Sequence, residues 1–140
     1  MKTRKGFTLI ELVVVVMIIG ILVAIAAPKM LNITGEATDS SVRMSLNVVR
    51  DAIETYASQN AGVYPTAASD TAFKEALKPY LRGVFPKSLV GTKDSTVTMS
   101  TDDPLAANGS SGWMYNGTTG EFILNCTDPS KDGTTTYAQF

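Results

Sequence analysis

The chain opens with a short basic segment that is followed by a long run of apolar residues. Residues 1–6 contain no acid and three bases: Lys2, Arg4 and Lys5. Residues 7–27 are almost all apolar and carry a single charge, Glu11. As a helix, these 21 residues would span about 31 Å, the thickness of the hydrocarbon core of a bilayer. The pattern predicts a membrane-spanning helix with its basic end in the cytoplasm.

Residues 28–60 show the periodicity of an amphipathic helix. Small or apolar residues recur every three or four positions, at Ile33, Ala37, Ser41, Met44, Val48, Ala52 and Tyr56. We expect this row to face a core, and the helix to continue directly from the apolar segment. Pro28 is expected to bend the helix, because proline lacks an N–H and clashes with the preceding turn. Gly62 is expected to end it.

Residues 61–140 are too few and too polar to form a large core alone, so we expect them to pack on the amphipathic half of the helix. A short helix is predicted over residues 70–78, capped by Ser69 or Asp70 and ended by Pro79. Phe73 and Leu77 would face inward.

Three segments of the same region have strand character. Residues 96–100 alternate, and residues 113–116 and 121–125 flank a four-residue hairpin loop at 117–120. Four large side chains of the hairpin should pack on the helix: Trp113, Tyr115, Phe122 and Leu124. The predicted fold class is α+β, with a long N-terminal helix packed against a small antiparallel sheet.

The composition argues against several kinds of chemistry. Histidine is absent and the one cysteine is Cys126, so the chain can form neither an internal disulfide nor a metal site built on His and Cys. We expect Cys126 to act as a small apolar residue in or beside a strand. The net charge of −1 gives no basic footprint for nucleic acid. Without a histidine base or a phosphate-binding glycine loop, an enzyme is not expected.

Aspartates are frequent in the C-terminal half, at Asp94, Asp102, Asp103, Asp128 and Asp132. Their spacing does not match an EF-hand. We interpret them as solvated loop carboxylates and predict no metal and no cofactor, with calcium as the alternative.

The residues alone leave three interpretations of the N-terminal segment open. It could be a secretory signal peptide cut after Ala26, since Ala24-Ile25-Ala26 offers an A-x-A site. It could be a plain membrane anchor in which Glu11 has no role. It could also be a segment that is cut after Gly6.

Residues 5–28, KGFTLIELVVVVMIIGILVAIAAP, closely resemble the class III signal of type IV pilins and type II secretion pseudopilins. In that family the prepilin peptidase cuts after the glycine and methylates the new terminus, which implies cleavage between Gly6 and Phe7 and N-methylation of Phe7. The family's glutamate, glycine and proline match Glu11, Gly20 and Pro28. The resemblance implies that the helix between Gly20 and Pro28 can lose helicity in a filament.

The position of Glu11 has a physical explanation in such a protein. A carboxylate at the bilayer centre costs roughly 2.5–3.5 kcal/mol, so Glu11 needs a partner even near the membrane surface. Cleavage after Gly6 creates the α-amino group of Phe7, which the helix holds away from Glu11 of the same chain. Between chains staggered by about one helical turn, the two groups can meet. We therefore expect Glu11 and Phe7 of neighbouring chains to pair during assembly.

The resemblance divides the chain into a leader (residues 1–6), a transmembrane and polymerisation half of the helix (7–27), an amphipathic half (28–60) and a globular head (61–140). It implies a structural subunit held in the bacterial inner membrane, in contact with lipid. An inner-membrane assembly platform would add it to a homo-oligomeric helical filament, either a periplasmic pseudopilus or an extracellular pilus. Nucleic acid is not expected as a partner of a major subunit.

Two alternatives to a major subunit stay open. One is a minor subunit at a filament tip that binds DNA or a surface. The other is a secreted domain released after Ala26.

Overall fold

The computed structural model describes residues 7–131 and 133–140. In chain order the elements are helix α1 (Leu9–Gln59), helix α2 (Asp70–Leu77), a 3-10 turn (Lys78–Tyr80), strands β1 (Val97–Met99), β2 (Trp113–Tyr115) and β3 (Phe122–Leu124), and a second 3-10 turn (Tyr137–Gln139). The chain divides into two compact units, Met1–Gly35 and Glu36–Phe140. The long N-terminal helix and the small sheet confirm the predicted α+β, pilin-like fold.

The described part of the first unit consists of the N-terminal part of α1, whose apolar side chains are exposed. Phe7 is 84% exposed and Met30 is 67% exposed, with aliphatic side chains in between. Within the described residues, α1 is by length and composition long and apolar enough to cross a membrane. Apolar side chains that find no partner in the monomer require a non-aqueous environment or other chains.

In the second unit, the predicted core face of α1 is right at Ala52 and Tyr56, which lie in or against the core, and wrong at the other described positions of that row. The buried row consists of Val42, Leu46, Val49, Ala52, Ile53 and Ala57. Of the predicted row, Met44 and Val48 are 70% and 47% exposed. Two rows of apolar residues run along this part of α1, and the row that contains Val42, Leu46, Val49 and Ile53 faces the core. Ala37 and Ser41, which the prediction also counted as core positions, are exposed.

The sheet is mixed, whereas a purely antiparallel sheet was predicted. β2 lies in the centre, pairs parallel with β1 and pairs antiparallel with β3. A hairpin turn cannot join parallel neighbours, and residues 100–112 form the longer connection between β1 and β2. The predicted hairpin is confirmed, with Trp113 opposite Leu124 and Tyr115 opposite Phe122.

The two faces of the sheet cover two separate clusters. Trp113, Tyr115, Phe122 and Leu124 join the buried row of α1 in what we call the main core, together with Phe73 and Leu77 of α2. Met114 and Ile123 point to the opposite face and meet Leu105 in what we call the outer core. This alternation places α1 and the loop at residues 100–112 on opposite sides of the sheet.

Local signals at the helix ends have the predicted effect. The Ser69 side chain accepts a hydrogen bond from the backbone N–H of Ala72 and caps α2. Beyond the end of α1, Ala61 and Gly62 have positive φ angles of 56° and 82°. The Gly62 N–H donates to the carbonyl of Ala57 at 2.8 Å, which satisfies one of the last carbonyl groups of α1.

Candidate assembly site

The first turn of α1 is closed by reciprocal hydrogen bonds between Thr8 and Glu11. The carboxylate Oε2 of Glu11 accepts from the backbone N–H of Thr8 at 2.9 Å and from its hydroxyl at 2.8 Å. In return, the Glu11 N–H donates to the Thr8 Oγ1 at 3.3 Å. This arrangement is a capping box. Sequence reasoning missed this role for Glu11, although the spacing T-x-x-E before an apolar run would have indicated it.

Phe7 and Glu11 border the same shallow groove at the start of α1. The groove is otherwise lined by aliphatic residues, Ile10, Val14 and Val15. Both hydrogen bonds from Thr8 end on Oε2 of Glu11, and Oε1 accepts no hydrogen bond from any described residue. The carboxylate therefore has one oxygen engaged within the chain and one that can accept from another molecule.

The other predicted site residues lie apart from this groove or outside the described residues. Gly6, on the amino side of the predicted cleavage site, lies outside them. Gly20 and Pro28 both lie inside α1, which is helical at each of them. The bend at Pro28 and the loss of helicity between these residues in a filament stay predictions.

The C-terminal segment of the head is held against α1 by polar contacts that the sequence did not suggest. Arg50 donates from Nε to the carbonyl of Phe122 at 3.0 Å and from one terminal nitrogen to the carbonyl of Phe140 at 2.8 Å. The guanidinium of Arg43 lies 3.5 Å from the centre of the Phe140 ring. Burial lowers the pKa of Arg50, and the charge of Glu121 opposes this effect.

Neither a metal site nor a reactive thiol emerges from the described side chains. In residues 7–131 and 133–140, no three acidic or thiol side chains are grouped so that they could hold a cation. Asp132, one of the predicted loop carboxylates, lies outside these residues. Cys126 is 4% exposed and follows β3, which confirms its predicted role as a small apolar residue. Burial raises the pKa of its thiol.

Comparison with known proteins identifies the family of this chain. A family model described as the prokaryotic N-terminal methylation motif matches residues 1–27. A fimbrial protein of Pseudomonas aeruginosa is 32% identical over 104 residues, which cover 71% of this chain and 68% of that protein. The chain belongs to the type IV pilin and type II secretion pseudopilin family. Members of this family are structural subunits and not enzymes.

The relatives of this chain include both type IV pilus components and a type II secretion system protein. The major component of a narrow type IV pilus of Thermus thermophilus is 46% identical over 59 residues, 42% of this chain. The type II secretion system core protein G of Vibrio cholerae is 35% identical over 66 residues, 47% of this chain and 44% of that protein. The chain spans about half (51%) of the length of the Thermus relative. No solved structure matches the chain.

Proposed function

We propose that this chain is a major structural subunit of a type IV pilus or a type II secretion pseudopilus, and that it acts without a cofactor. The observation that carries the proposal is the exposed apolar part of α1, with a single carboxylate in its first turn. Leu9 is 81% exposed and Leu22 is 60% exposed. Exposure of so long an apolar surface to water is unfavourable. The segment therefore needs lipid before assembly and neighbouring helices after it.

The subunit is inserted in the bacterial inner membrane with residues 1–6 in the cytoplasm. The prepilin peptidase cuts after Gly6 and methylates Phe7. Loss of the three bases weakens attraction to the anionic inner leaflet by roughly 1 kcal/mol for each. The assembly platform can then extract the helix into a filament that ends in the periplasm or outside the cell.

Assembly uses the free side of the Glu11 carboxylate. Thr8 keeps Oε2 occupied and maintains the first turn of α1, as the hydrogen bonds in the monomer support. The α-amino group of Phe7 of the neighbouring chain donates to Oε1. In a medium without water, this charge-assisted bond is stronger than a neutral one and fixes the axial stagger of the two chains.

Two measurements on the same preparation test the proposal. The chain is expressed in a host that has a type IV pilus assembly machine but lacks its own major pilin gene. Mass spectrometry of the exported protein should find an N-terminus at methylated Phe7. A mass that begins at Met1 contradicts cleavage, and one that begins at Ala27 indicates a secreted domain.

Electron microscopy of sheared material decides between a major and a tip subunit. A major subunit should form filaments when it is the only pilin expressed in quantity. A correctly processed chain that forms none would instead support the alternative of a minor tip subunit that binds DNA or a surface.

A further inference from the structure

Charge is segregated along the head of this protein. Between residues 71 and 93 there is one acid, Glu75, and five bases: Lys74, Lys78, Arg82, Lys87 and Lys93. Between residues 94 and 130 there is no base and there are five acids: Asp94, Asp102, Asp103, Glu121 and Asp128. A nearly neutral chain therefore carries two oppositely charged segments, which favours contacts between unlike surfaces.

The basic segment presents a loop, residues 81–87, that we call the basic loop. Its base is fixed, because Phe85 packs on Phe73 with ring centres 6.1 Å apart and the Pro86 carbonyl accepts from the Trp113 indole at 3.0 Å. Its tip projects, since Val84 is 94% exposed. Arg82 lies beside it and borders a groove with Val48 of α1.

The charges of the basic loop are available to a partner. Lys74 and Lys78 are each paired within α2 and its 3-10 extension, with Asp70 and Glu75. In the part of the chain that the structure describes, neither Arg82 nor Lys87 forms an ion pair.

The acidic counterpart is the start of the connection between β1 and β2, residues 101–104, which we call the acidic loop. Asp102 and Asp103 are both exposed. The loop is held in place, because the Ser100 hydroxyl donates to the Asp102 carboxylate at 2.8 Å and the Asn116 side chain donates to the Asp102 carbonyl at 2.8 Å. Leu105, the next residue, is buried in the outer core.

The two loops lie on opposite sides of the sheet. Phe85 of the basic loop packs against the main core, on the side of α1. Leu105 at the end of the acidic loop packs in the outer core, on the other side. One head therefore has a basic surface on one side of the sheet and an acidic surface on the other. A single symmetric contact between two copies cannot pair both loops of each copy, because the loops lie on opposite sides.

We infer that the basic loop of one copy docks on the acidic loop of the next copy in the filament. The inference rests on the proposed function, because a helical polymer is built from contacts between two different surfaces of each subunit. Arg82 and Lys87 face Asp102 and Asp103 of the neighbour, and Val84 contributes the apolar centre of the contact. Like surfaces repel, so the charge pattern also selects the head-to-tail order.

Charge reversal tests this interface in the host described above. Arg82→Glu with Lys87→Glu, and separately Asp102→Lys with Asp103→Lys, should each lower the yield of sheared filaments by about tenfold or more. The four changes together should restore the yield, which a misfolded head could not do. The matched control for the basic-loop variant is Lys93→Glu with Lys131→Glu, which makes the same change in formal charge outside both loops and should leave the yield unchanged.

The possible results distinguish a failure of the proposed interface from a failure of the proposed function. Wild-type yields from either reversed variant, or no recovery in the four-fold variant, overturn the interface while unaltered chains still form filaments. A control variant that loses filaments to the same extent also overturns it, because net charge would then be sufficient to explain the loss. Absence of filaments from the unaltered chain contradicts the proposed function, and the interface with it.

Discussion

The hydroxyl of Tyr137 donates a hydrogen bond of 2.7 Å to the carboxylate of Asp39. The two residues are 98 positions apart in the sequence and both are buried. The bond joins the C-terminal 3-10 turn to the part of α1 that enters the head. In a chain that cannot close an internal disulfide, this contact and the bond from Arg50 to the Phe140 carbonyl hold the C-terminal segment in place.

Removal of the Tyr137 hydroxyl should destabilise the head. Tyr137→Phe leaves the buried Asp39 carboxylate short of one donor, which costs about 1–3 kcal/mol. Urea unfolding of the full chain in detergent, followed by the fluorescence of Trp113, measures the loss. Tyr80→Phe is the matched control, because the Tyr80 hydroxyl donates to the exposed side chain of Gln59 at 3.1 Å. Equal losses of unfolding free energy in the two variants would show that the buried contact with Asp39 contributes no more than the exposed contact with Gln59.

Stability should fall at high pH. Burial raises the pKa of Tyr115 and of Tyr137, and Asp39 adds to the effect on Tyr137. The unfolded chain releases these protons near the ordinary tyrosine pKa of about 10, whereas the folded chain keeps them. The stabilisation is therefore complete below about pH 10 and is lost as the pH rises above it, by at most ~1.4 kcal/mol per pH unit for each tyrosine.

Urea midpoints at pH 8, 10 and 11 measure this dependence. The slope above pH 10 should be smaller in Tyr137→Phe than in the unaltered chain. A stability that does not change between pH 8 and 11 would contradict a buried, neutral state of both tyrosines.

Arg50 should control the opening of the C-terminal segment. Its guanidinium reaches the carbonyls of Phe122 and Phe140 together, and a lysine ammonium has no such planar fork. A lost hydrogen bond from a charged donor costs about 1.5–3 kcal/mol. Arg50→Lys should therefore speed hydrogen exchange in residues 137–140 by about tenfold or more. Arg82→Lys, equally conservative but exposed, should leave those rates as they are.

Two substitutions separate the capping and pairing roles of Glu11. Glutamine can serve in a capping box but carries no charge. Valine can neither accept the capping hydrogen bond nor carry a charge. If the charge pairs with Phe7 of the next chain, both Glu11→Gln and Glu11→Val should be inserted and cleaved but should form few filaments. Normal filaments from Glu11→Gln would show that the cap, and not the ion pair, is what assembly requires.

Two glycines of the head should differ in their tolerance of alanine. A Cβ on Gly112 would overlap the carbonyl oxygen of Asp94, whose side chain also accepts from the Gly112 N–H at 2.8 Å. A Cβ on Gly109 would meet nothing, so Gly109→Ala costs only the strain of its φ angle of 73°, about 1–2 kcal/mol. Gly112→Ala should lower the urea midpoint further, and the reverse order would contradict the close packing at Asp94.

Local sequence signals sufficed for much of this fold. Residues 7–27 predict a membrane-spanning helix, because a run of 21 residues with one charge has the length and the composition that a bilayer requires. Ser69 fixed the start of α2 and the loop at 117–120 fixed the hairpin, since each signal acts within a few residues. The spacing of Thr8 and Glu11 also indicates the capping box. This role of Glu11 was missed because its charge within an apolar segment already had an explanation in assembly.

Long-range features could not be read in the same way. The contacts of Tyr137 with Asp39 and of Arg50 with Phe140 span 98 and 90 residues and leave no periodic trace. The face of α1 was misassigned because Met44 and Val48 follow the same period as Val42 and Leu46, and only the sheet decides between them. The parallel pairing of β1 likewise depends on how residues 100–112 cross the sheet.

The burial of Cys126 makes this chain convenient for imaging. Its thiol is the only one in the sequence, is 4% exposed and has a raised pKa, so it offers little thiolate to a maleimide dye. A single cysteine placed at an exposed head position would then be the one that reacts. If the proposed filament is extracellular, living cells could be stained at that point and individual fibres followed by light microscopy, without first removing the native residue.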